Sequence, residues 1–179
     1  MLYVVRHGQS SFNYNNLICG ITNAPLTEAG KEQARLTGER LKGIKFDRVY
    51  VSPLDRARDT AQIILQINGS KATPKVDARI IERDAGLMEG EQREADIGGY
   101  PSWRPDFDCE KYLYETRQSV VARVKDFLDE LGDAYKTENV LIVAHNGIVR
   151  AFRYLFEGFS YDEDWIHYGV ENAGFVCYE

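Results

Sequence analysis

Residues 2–8 read LYVVRHG, and residues 140–147 read VLIVAHNG. In each stretch a short, unbroken apolar run leads to a histidine that is followed closely by glycine. Unbroken apolar runs of this length are typical of parallel strands that are covered on both faces. We therefore expect His7 and His145, two of the chain's three histidines, at the carboxyl ends of buried strands. Open α/β sheets form their ligand crevice at this edge.

Strand and helix patterns alternate along most of the chain. Further strands are predicted at residues 48–51 and 76–81, with an edge strand at 173–178. Helices are predicted at residues 27–43, 53–66, 116–131 and 147–156, and Ser52 is expected to cap the second of them. This order predicts an α/β three-layer sandwich with a mostly parallel, doubly wound sheet. Residues 1–179 are expected to form one domain.

The region from about residue 84 to residue 115 does not fit the alternation. It contains Gly98-Gly99, two prolines and several aromatic residues. We interpret it as an irregular, lid-like excursion of the single domain. Long ordered loops of this kind often serve in binding. The sequence leaves two roles open: the excursion covers a sheet edge, or it forms a substrate lid in which Arg93 or Arg104 reaches a second acidic group.

Composition excludes several classes of protein. Hydrophobic residues make up 44% of the 179 residues and charged residues 28%, as is ordinary for a soluble protein. The net charge of −6 argues against sequence-independent binding to nucleic acid. No apolar run approaches the roughly 20 residues of a membrane helix. The three cysteines show no CxxC spacing, which fits a reducing cytoplasm. The oligomeric state is open, and a homodimer could form through pairing of the predicted edge strand.

The ends of the predicted strands bring cations together with the histidines. Arg6 precedes His7, and Arg56 lies in the first turn of the helix that follows strand 48–51. Arginine guanidinium groups suit phosphate oxygens, and helix N-termini add backbone N–H donors. Asn13 can donate one more hydrogen bond. These residues predict an anion pocket around His7 and His145.

The alternative hypothesis is that the two histidines bind a metal ion. Two neighbouring arginines would repel a divalent cation, and no carboxylate lies at a metal-ligand spacing beside either histidine. Arginines can instead neutralise the charge of a phosphoryl group, and a neutral imidazole with a pKa of about 6.5 is a reasonable nucleophile. Glu82 follows the predicted strand 76–81 at the same rim. A carboxyl group kept protonated there by burial could supply a proton to a leaving alcohol.

Five segments then occur in one order: RHG-x4-N at residues 6–13, PLT-x2-G-x2-QA at 25–34, SPL-x-RA-x2-TA at 52–61, E-x3-G-x2-EG at 82–90 and AHNG at 144–147. With them the chain resembles the histidine phosphatase superfamily, or phosphoglycerate-mutase-like family, over nearly its whole length. The residues favour its phosphatase branch. One RHG would be weak evidence, whereas five segments in order are strong evidence.

The resemblance implies a role for each matching residue. His7 would accept the phosphoryl group, and Arg6, Arg56 and His145 would hold the phosphate with help from Asn13. Glu82 would protonate the leaving oxygen and then help to activate water. No cofactor or metal is expected, and the implied partner is a small-molecule phosphate ester.

Two other functions remain open. One is a 2,3-bisphosphoglycerate-dependent phosphoglycerate mutase. Against it, residues 82–86 read ERDAG where the family's mutases carry an ERHYG-like segment. The other is a non-catalytic module that binds phosphate or phosphoproteins, although this chain keeps both His7 and Glu82. The sequence does not name the phosphate ester.

Three further residues are noted. Asn146 stands where the family more often has glycine, and its effect on phosphate contacts is undecided. Cys19 is expected to be a small packed residue near the pocket mouth. His167 is expected to be an ordinary structural or surface residue.

Overall fold

The computed structural model describes residues 1–93 and 101–179 of the chain. Within these residues the strands are β1 (Leu2–Arg6), β2 (Arg48–Val51), β3 (Lys75–Val76), β4 (Val140–Ala144) and β5 (Phe175–Tyr178). The helices are α1 (Ser11–Tyr14), α2 (Glu28–Arg40), α3 (Asp55–Asn68), α4 (Arg117–Leu131) and α5 (Asn146–Glu157). Short 3₁₀ turns include Ala78–Ile80, Pro101–Trp103 and Trp165–Tyr168. The predicted α/β alternation is confirmed.

The described strands form one sheet in the order β3-β2-β4-β1-β5. β5 lies at the edge and is antiparallel to β1, whereas the other pairs are parallel. β4 lies between β1 and β2, with Arg6 of β1 opposite Ala144 and Val51 of β2 opposite Val143. The residues that follow these three strands therefore leave the same edge of the sheet, as expected for His7 and His145.

Helices cover both faces of the sheet because the strand side chains alternate between two cores. Leu2 and Val4 of β1 belong to the core that includes α4 and α5. Tyr3 and Val5 belong to the opposite core, with α3, and α2 packs against α3. Both cores are buried, so the apolar runs of β1 and β4 match the expectation for strands between two helical layers. The predicted three-layer architecture is confirmed.

The prediction that Ser52 caps a helix starting at Pro53 is wrong. α3 begins at Asp55, its N-cap is Leu54, and no side chain caps it. The Ser52 hydroxyl lies 2.6 Å from Nε2 of His145. Because Ser52 follows β2 at the edge where β4 ends, the imidazole of the neighbouring strand competes successfully for its hydroxyl group.

The predicted strand at residues 76–81 is also wrong over most of its length. The strand ends at Val76, and Asp77 accepts a hydrogen bond from the backbone N–H of Arg79 at 2.9 Å, which starts the 3₁₀ turn Ala78–Ile80. The Asp77 carboxylate also pairs with the Arg79 guanidinium at 2.7 Å. Glu82 therefore follows a turn and not a strand, because a local side-chain cap replaces sheet pairing.

Helix α1 was not predicted. Ser10 and Asn13 form a reciprocal capping box, in which each side chain accepts from the backbone N–H of the other. This pair of hydrogen bonds stabilises one helical turn inside a segment whose asparagines, serines and glycines indicated only a loop.

The described part of the excursion packs back on the domain. Trp103 is only 4% exposed and stacks on Trp165 at a centroid distance of 6.3 Å. Gly98, Gly99 and Tyr100 lie outside the described residues. In the part of the chain that the structure describes, no helix is both long and apolar enough to span a membrane.

The loop after β1 lies very close to the start of α2. A Cβ atom added at Gly8 would lie 2.2 Å from the carbonyl oxygen of Gly30, and one added at Gly30 would lie 2.1 Å from the carbonyl oxygen of Gln9. Both obstacles are backbone atoms, which cannot rotate away. The two glycines therefore allow the loop after β1 to pack directly on helix α2.

We expect Gly30→Ala to destabilise the fold by about 1–3 kcal/mol, the usual cost of overpacking. In an unobstructed helix the same change would stabilise by up to about 1 kcal/mol. The free energy of unfolding in urea measures the difference. Lys31→Ala, at an exposed neighbouring position of α2, is the control and should change stability little. A Gly30→Ala protein as stable as the wild type would contradict the close approach.

Candidate active site

The His7 imidazole presents its Nε2 atom to the site. The backbone N–H of His7 donates to the carbonyl oxygen of Ala144 at 2.9 Å, which ties the residue to the end of β4. Its Nδ1 lies 2.7 Å from the carbonyl oxygen of Gly8. A carbonyl oxygen only accepts, so Nδ1 carries the proton of the neutral ring and Nε2 carries the lone pair. This is the tautomer that a nucleophilic Nε2 requires.

Two arginines flank His7. Arg56 is 1% exposed, and its Nε donates to Nε2 of His7 at 3.2 Å. Its other two nitrogens donate to the carbonyl oxygens of Thr22 and Gly20 at 2.8 and 2.6 Å. Arg6 lines the pocket and donates to the carbonyl oxygen of Val170 at 2.8 Å. The structure thus brings both predicted arginines to His7, and Arg56 also fastens the loop at residues 20–22.

His145 lies beside His7 at the deep end of the site. The two ring centroids are 5.1 Å apart, and His145 is fully buried. Its Nε2 contacts the Ser52 hydroxyl, whereas its Nδ1 has no hydrogen-bond partner among the described residues. The predicted pairing of the two histidines is therefore present in the geometry.

Burial holds both imidazoles neutral. Burial is the main cause that lowers the pKa of His7 well below 6.5, and the charges of Arg56 and Arg6 lower it further. The pKa of His145 is also lowered well below 6.5, first by burial and then by the charge of Arg56. At neutral pH the site therefore holds two uncharged imidazoles among fixed cations, a combination that suits an anion and an unprotonated nucleophile.

Glu82 is held at the opposite wall of the pocket. Its Oε1 accepts from the backbone N–H of Arg83 at 2.8 Å, and its Oε2 accepts from that of Gly147 at 3.4 Å. A Cβ atom at position 147 would lie 2.3 Å from Oε1, so a side chain there would displace the carboxylate from this position. Of the described residues that line the pocket, Glu82 is the only acidic one. The side chain is half-buried, so the expected burial of this carboxyl group is not found.

Arg123 of α4 positions the segment that carries Glu82, and sequence analysis missed it. Its guanidinium donates to the carbonyl oxygens of Arg79, Ile81 and Glu82 at 2.6, 2.7 and 3.2 Å. It also pairs with Glu115 at 2.9 Å. An arginine on an amphipathic helix normally indicates a solvated face, so the sequence carried no signal for this role.

The described excursion residues Trp103 and Tyr114 also line the pocket. The Trp103 ring contacts two buried guanidinium groups, with its centroid 4.6 Å from that of Arg83 and 4.7 Å from that of Arg150. The cavity volume is only about 30 Å³, which is room for about two water molecules.

The other predicted residues divide between the pocket and the surface. Asn13 lines the pocket, but its Oδ1 accepts from Ser10 and from Asn172. Asn146 also lines it, and its Oδ1 accepts from the backbone N–H of Val170 at 2.9 Å. Arg93 lines the pocket, whereas Arg104 pairs with an aspartate at 3.3 Å in an adjacent groove. The roles of these residues remain predictions.

Cys19 lines the pocket, and burial is the main cause that raises the pKa of its thiol to about 11. The thiol is therefore protonated at neutral pH, which does not suit a nucleophile. His167 is exposed, as expected of a surface residue. Among residues 1–93 and 101–179, no group of three or more His, Cys, Asp or Glu side chains could hold a metal ion.

The buried histidines predict a loss of stability on acidification. Their pKa values are lowered in the folded state, whereas an unfolded histidine titrates near about 6.5. Below that pH the unfolded chain binds protons that the folded protein does not. The free energy of unfolding should therefore fall by up to about 1.4 kcal/mol per pH unit for each histidine. Urea unfolding between about pH 5.5 and about pH 7.5 measures this slope.

The double variant His7→Gln/His145→Gln should flatten the slope, whatever its stability at neutral pH. His167→Gln removes an exposed histidine and should leave the slope unchanged. A slope that is equal in the wild type and the double variant would show that the two rings do not cause it.

Solved structures share this architecture. A mycobacterial glucosyl-3-phosphoglycerate phosphatase in complex with VO3 superposes with a TM-score of 0.81, at 25% identity, over 97% of this chain and 90% of that chain. A phosphoglycerate mutase from Bacillus anthracis str. Sterne superposes with a TM-score of 0.79, at 27% identity, over 97% of this chain and 85% of that chain. A protein named as a phosphatase and a protein named as a mutase therefore both share this fold.

Sequence comparison gives the family. A 2,3-bisphosphoglycerate-dependent phosphoglycerate mutase of Methylobacterium sp. (strain 4-46) is 34% identical over 170 residues, 89% of this chain and 82% of the relative. The model of the histidine phosphatase superfamily (branch 1) matches residues 2–179. The ordered motifs, the paired histidines and this match agree, and the chain belongs to the histidine phosphatase superfamily.

Proposed function

We propose that this protein is a metal-independent phosphomonoesterase that hydrolyses a small phosphorylated metabolite through a phosphohistidine at His7. The observation that carries the proposal is the 2.7 Å contact between Nδ1 of His7 and the carbonyl oxygen of Gly8. It leaves the lone pair on Nε2, next to Arg56 and at a pocket lined by Arg6.

In the first step, the lone pair of His7 Nε2 forms a bond to phosphorus while the bond to the ester oxygen breaks. The ester oxygen leaves with the bonding electron pair and takes a proton from Glu82. In the second step, Glu82 accepts a proton from water as the water oxygen bonds to phosphorus, and the nitrogen–phosphorus bond breaks. The products are an alcohol and inorganic phosphate, and both His7 and Glu82 return to their initial states.

The cations replace a metal ion in this scheme. Phosphoryl transfer is catalysed mainly by positioning and by stabilising charge on the equatorial oxygens. Arg6 and Arg56 lie beside His7, and their charges also keep its ring unprotonated. The same two groups thus hold the anion and preserve the nucleophile.

The second candidate is phosphoglycerate mutase activity, which the name of the Methylobacterium relative favours. A mutase must also hold the acidic group that distinguishes a phosphoglycerate. In the pocket, Arg83 already donates through its three guanidinium nitrogens to Glu115, Ser102 and Cys109. Arg150 donates to the carbonyl oxygens of Trp165 and Ile166. Both arginines thus brace the protein itself, but Arg93 is a further cation of the described lining. The preference for hydrolysis therefore depends on residues 82–86, which read ERDAG where the family's mutases carry an ERHYG-like segment.

We expect His7→Ala to lower kcat/KM for phosphate-ester hydrolysis by about 10⁴-fold or more, because the covalent intermediate cannot form. The measurement is phosphate release from a panel of phosphomonoesters in chelator, with and without 2,3-bisphosphoglycerate. His167→Ala, at an exposed position, is the control and should retain activity.

Three results would change the proposal. Isomerisation of phosphoglycerate without phosphate release would favour the mutase. Binding of phosphate esters without any turnover would favour a non-catalytic phosphate-binding module. Activity that is lost in chelator and restored by a divalent ion would contradict the metal-independent mechanism.

We expect Glu82→Gln to slow hydrolysis of esters with poor leaving groups by about 10²- to 10⁴-fold, the usual contribution of a general acid. An activated ester such as an aryl phosphate should lose less, because its leaving group needs little protonation. The ratio of the two losses is the measurement. Glu91→Gln makes the same charge change at an exposed position and should alter neither rate. Equal losses on both esters would remove Glu82 from the acid role.

A further inference from the structure

Ser52 and His145 form a buried contact that the proposed reaction does not yet use. Both residues are 0% exposed, and the Ser52 Oγ lies 2.6 Å from Nε2 of His145. The backbone explains the pairing: the N–H of Ser52 donates to the carbonyl oxygen of Val143 at 3.1 Å. The two side chains thus leave adjacent strands at the same level.

The protons in this contact can be assigned by counting donors and acceptors. The Ser52 Oγ accepts from the backbone N–H of Leu54 at 3.4 Å. If Nε2 of His145 also donated to Oγ, the hydroxyl proton would have no acceptor among the described residues. If the hydroxyl donates to Nε2, both Oγ and Nε2 have partners, and only Nδ1 is left without one among the described residues. Because burial keeps the His145 ring neutral, its single proton then lies on Nδ1.

We propose that Ser52 is a positioning residue that holds His145 in the Nδ1–H tautomer, so that this N–H donates to the phosphoryl group at His7. The proposal rests on the function proposed above. Nδ1 is buried and has no hydrogen-bond partner among the described residues, and the ring lies 5.1 Å from the His7 ring. A phosphoryl oxygen bound there would satisfy the otherwise unpaired donor.

The opposite tautomer would oppose phosphate binding. It would direct the Nδ1 lone pair at an anionic oxygen, and two acceptors repel each other. In both histidines a neighbouring group would therefore fix the Nδ1–H tautomer, and the two rings would use that tautomer differently. The Gly8 carbonyl frees Nε2 of His7 for bond formation, and the Ser52 hydroxyl frees Nδ1–H of His145 for hydrogen bonding.

Nitrogen-15 NMR of the histidine-labelled protein tests the tautomer directly. In the wild type we expect a protonated Nδ1 and an unprotonated Nε2 for His145. Addition of inorganic phosphate should perturb Nδ1 more than Nε2. A protonated Nε2 in the wild type would overturn the proposal, whether or not the protein hydrolyses esters. The tautomer proposal can therefore be overturned without overturning the proposed function.

Variants test the consequence for phosphate binding. Ser52→Ala should weaken inhibition by inorganic phosphate and lower kcat/KM by about 10- to 100-fold, the range found for groups that orient metal-bound histidines. It should also raise the pKa of His145, because no hydroxyl then stabilises the neutral ring. Ser52→Thr retains the hydroxyl and should restore a large part of both losses.

A merely structural role for Ser52 makes a different prediction. Thr37→Val is the matched control, since it removes another buried hydroxyl, which donates to the carbonyl oxygen of Ala173 at 2.7 Å. It should lower stability without changing phosphate inhibition or the His145 tautomer. Ser52→Ala protein with unchanged phosphate inhibition and unchanged His145 nitrogen shifts would overturn the proposal. If Ser52→Ala does not fold, the wild-type spectrum and Ser52→Thr still decide the tautomer.

Discussion

The parallel pairing of β1 with β4 is the constraint on which the site depends. With Arg6 opposite Ala144, the backbone N–H of His7 donates to the carbonyl oxygen of Ala144, and His145 follows one residue later. A slip of one residue would turn every β1 side chain to the other face of the sheet. Because Leu2 and Val4 are buried in one core and Tyr3 and Val5 in the other, such a slip would exchange the residues that the two cores receive. The packing of both helical layers thus keeps the histidines together.

Burial of two imidazoles beside two guanidinium groups determines the electrostatics of the site. Burial opposes a charge on either ring, and the cations oppose it further, so the pKa of both histidines falls. Such a site is stable in the neutral state of its rings, with the guanidinium cations of Arg6 and Arg56 beside them. A phosphate group complements that charge without protonating the nucleophile. The same arrangement links function to stability, since acidification protonates the histidines of the unfolded chain before the buried rings and so lowers the free energy of unfolding.

Around the pocket, arginine side chains supply the hydrogen bonds that regular secondary structure would otherwise provide to backbone carbonyl groups. Irregular segments leave backbone carbonyl groups that need donors when they are buried. Arg123 supplies donors to the segment before Glu82, and Arg83 supplies them to the carbonyl groups of Ser102 and Glu115. Arg150 does the same for the turn at Trp165 and Ile166. Trp103 contacts both Arg83 and Arg150, so the described part of the excursion is connected to two other residues of the pocket lining.

From the sequence, the apolar runs and their periodicity predicted the α/β fold, and five ordered motifs indicated the family. The strand ends predicted that Arg6, His7, Arg56 and His145 gather at one edge of the sheet. These features are local, and the carboxyl ends of parallel strands must share one edge. The tertiary structure alone decided what depends on groups distant in sequence. It decided that Ser52 binds His145 instead of capping α3, that Arg123 holds the Glu82 segment, and that Trp103 lines the pocket. The physical reason is that hydroxyl and guanidinium donors satisfy whichever acceptor the fold brings near, and the sequence pattern does not specify that acceptor.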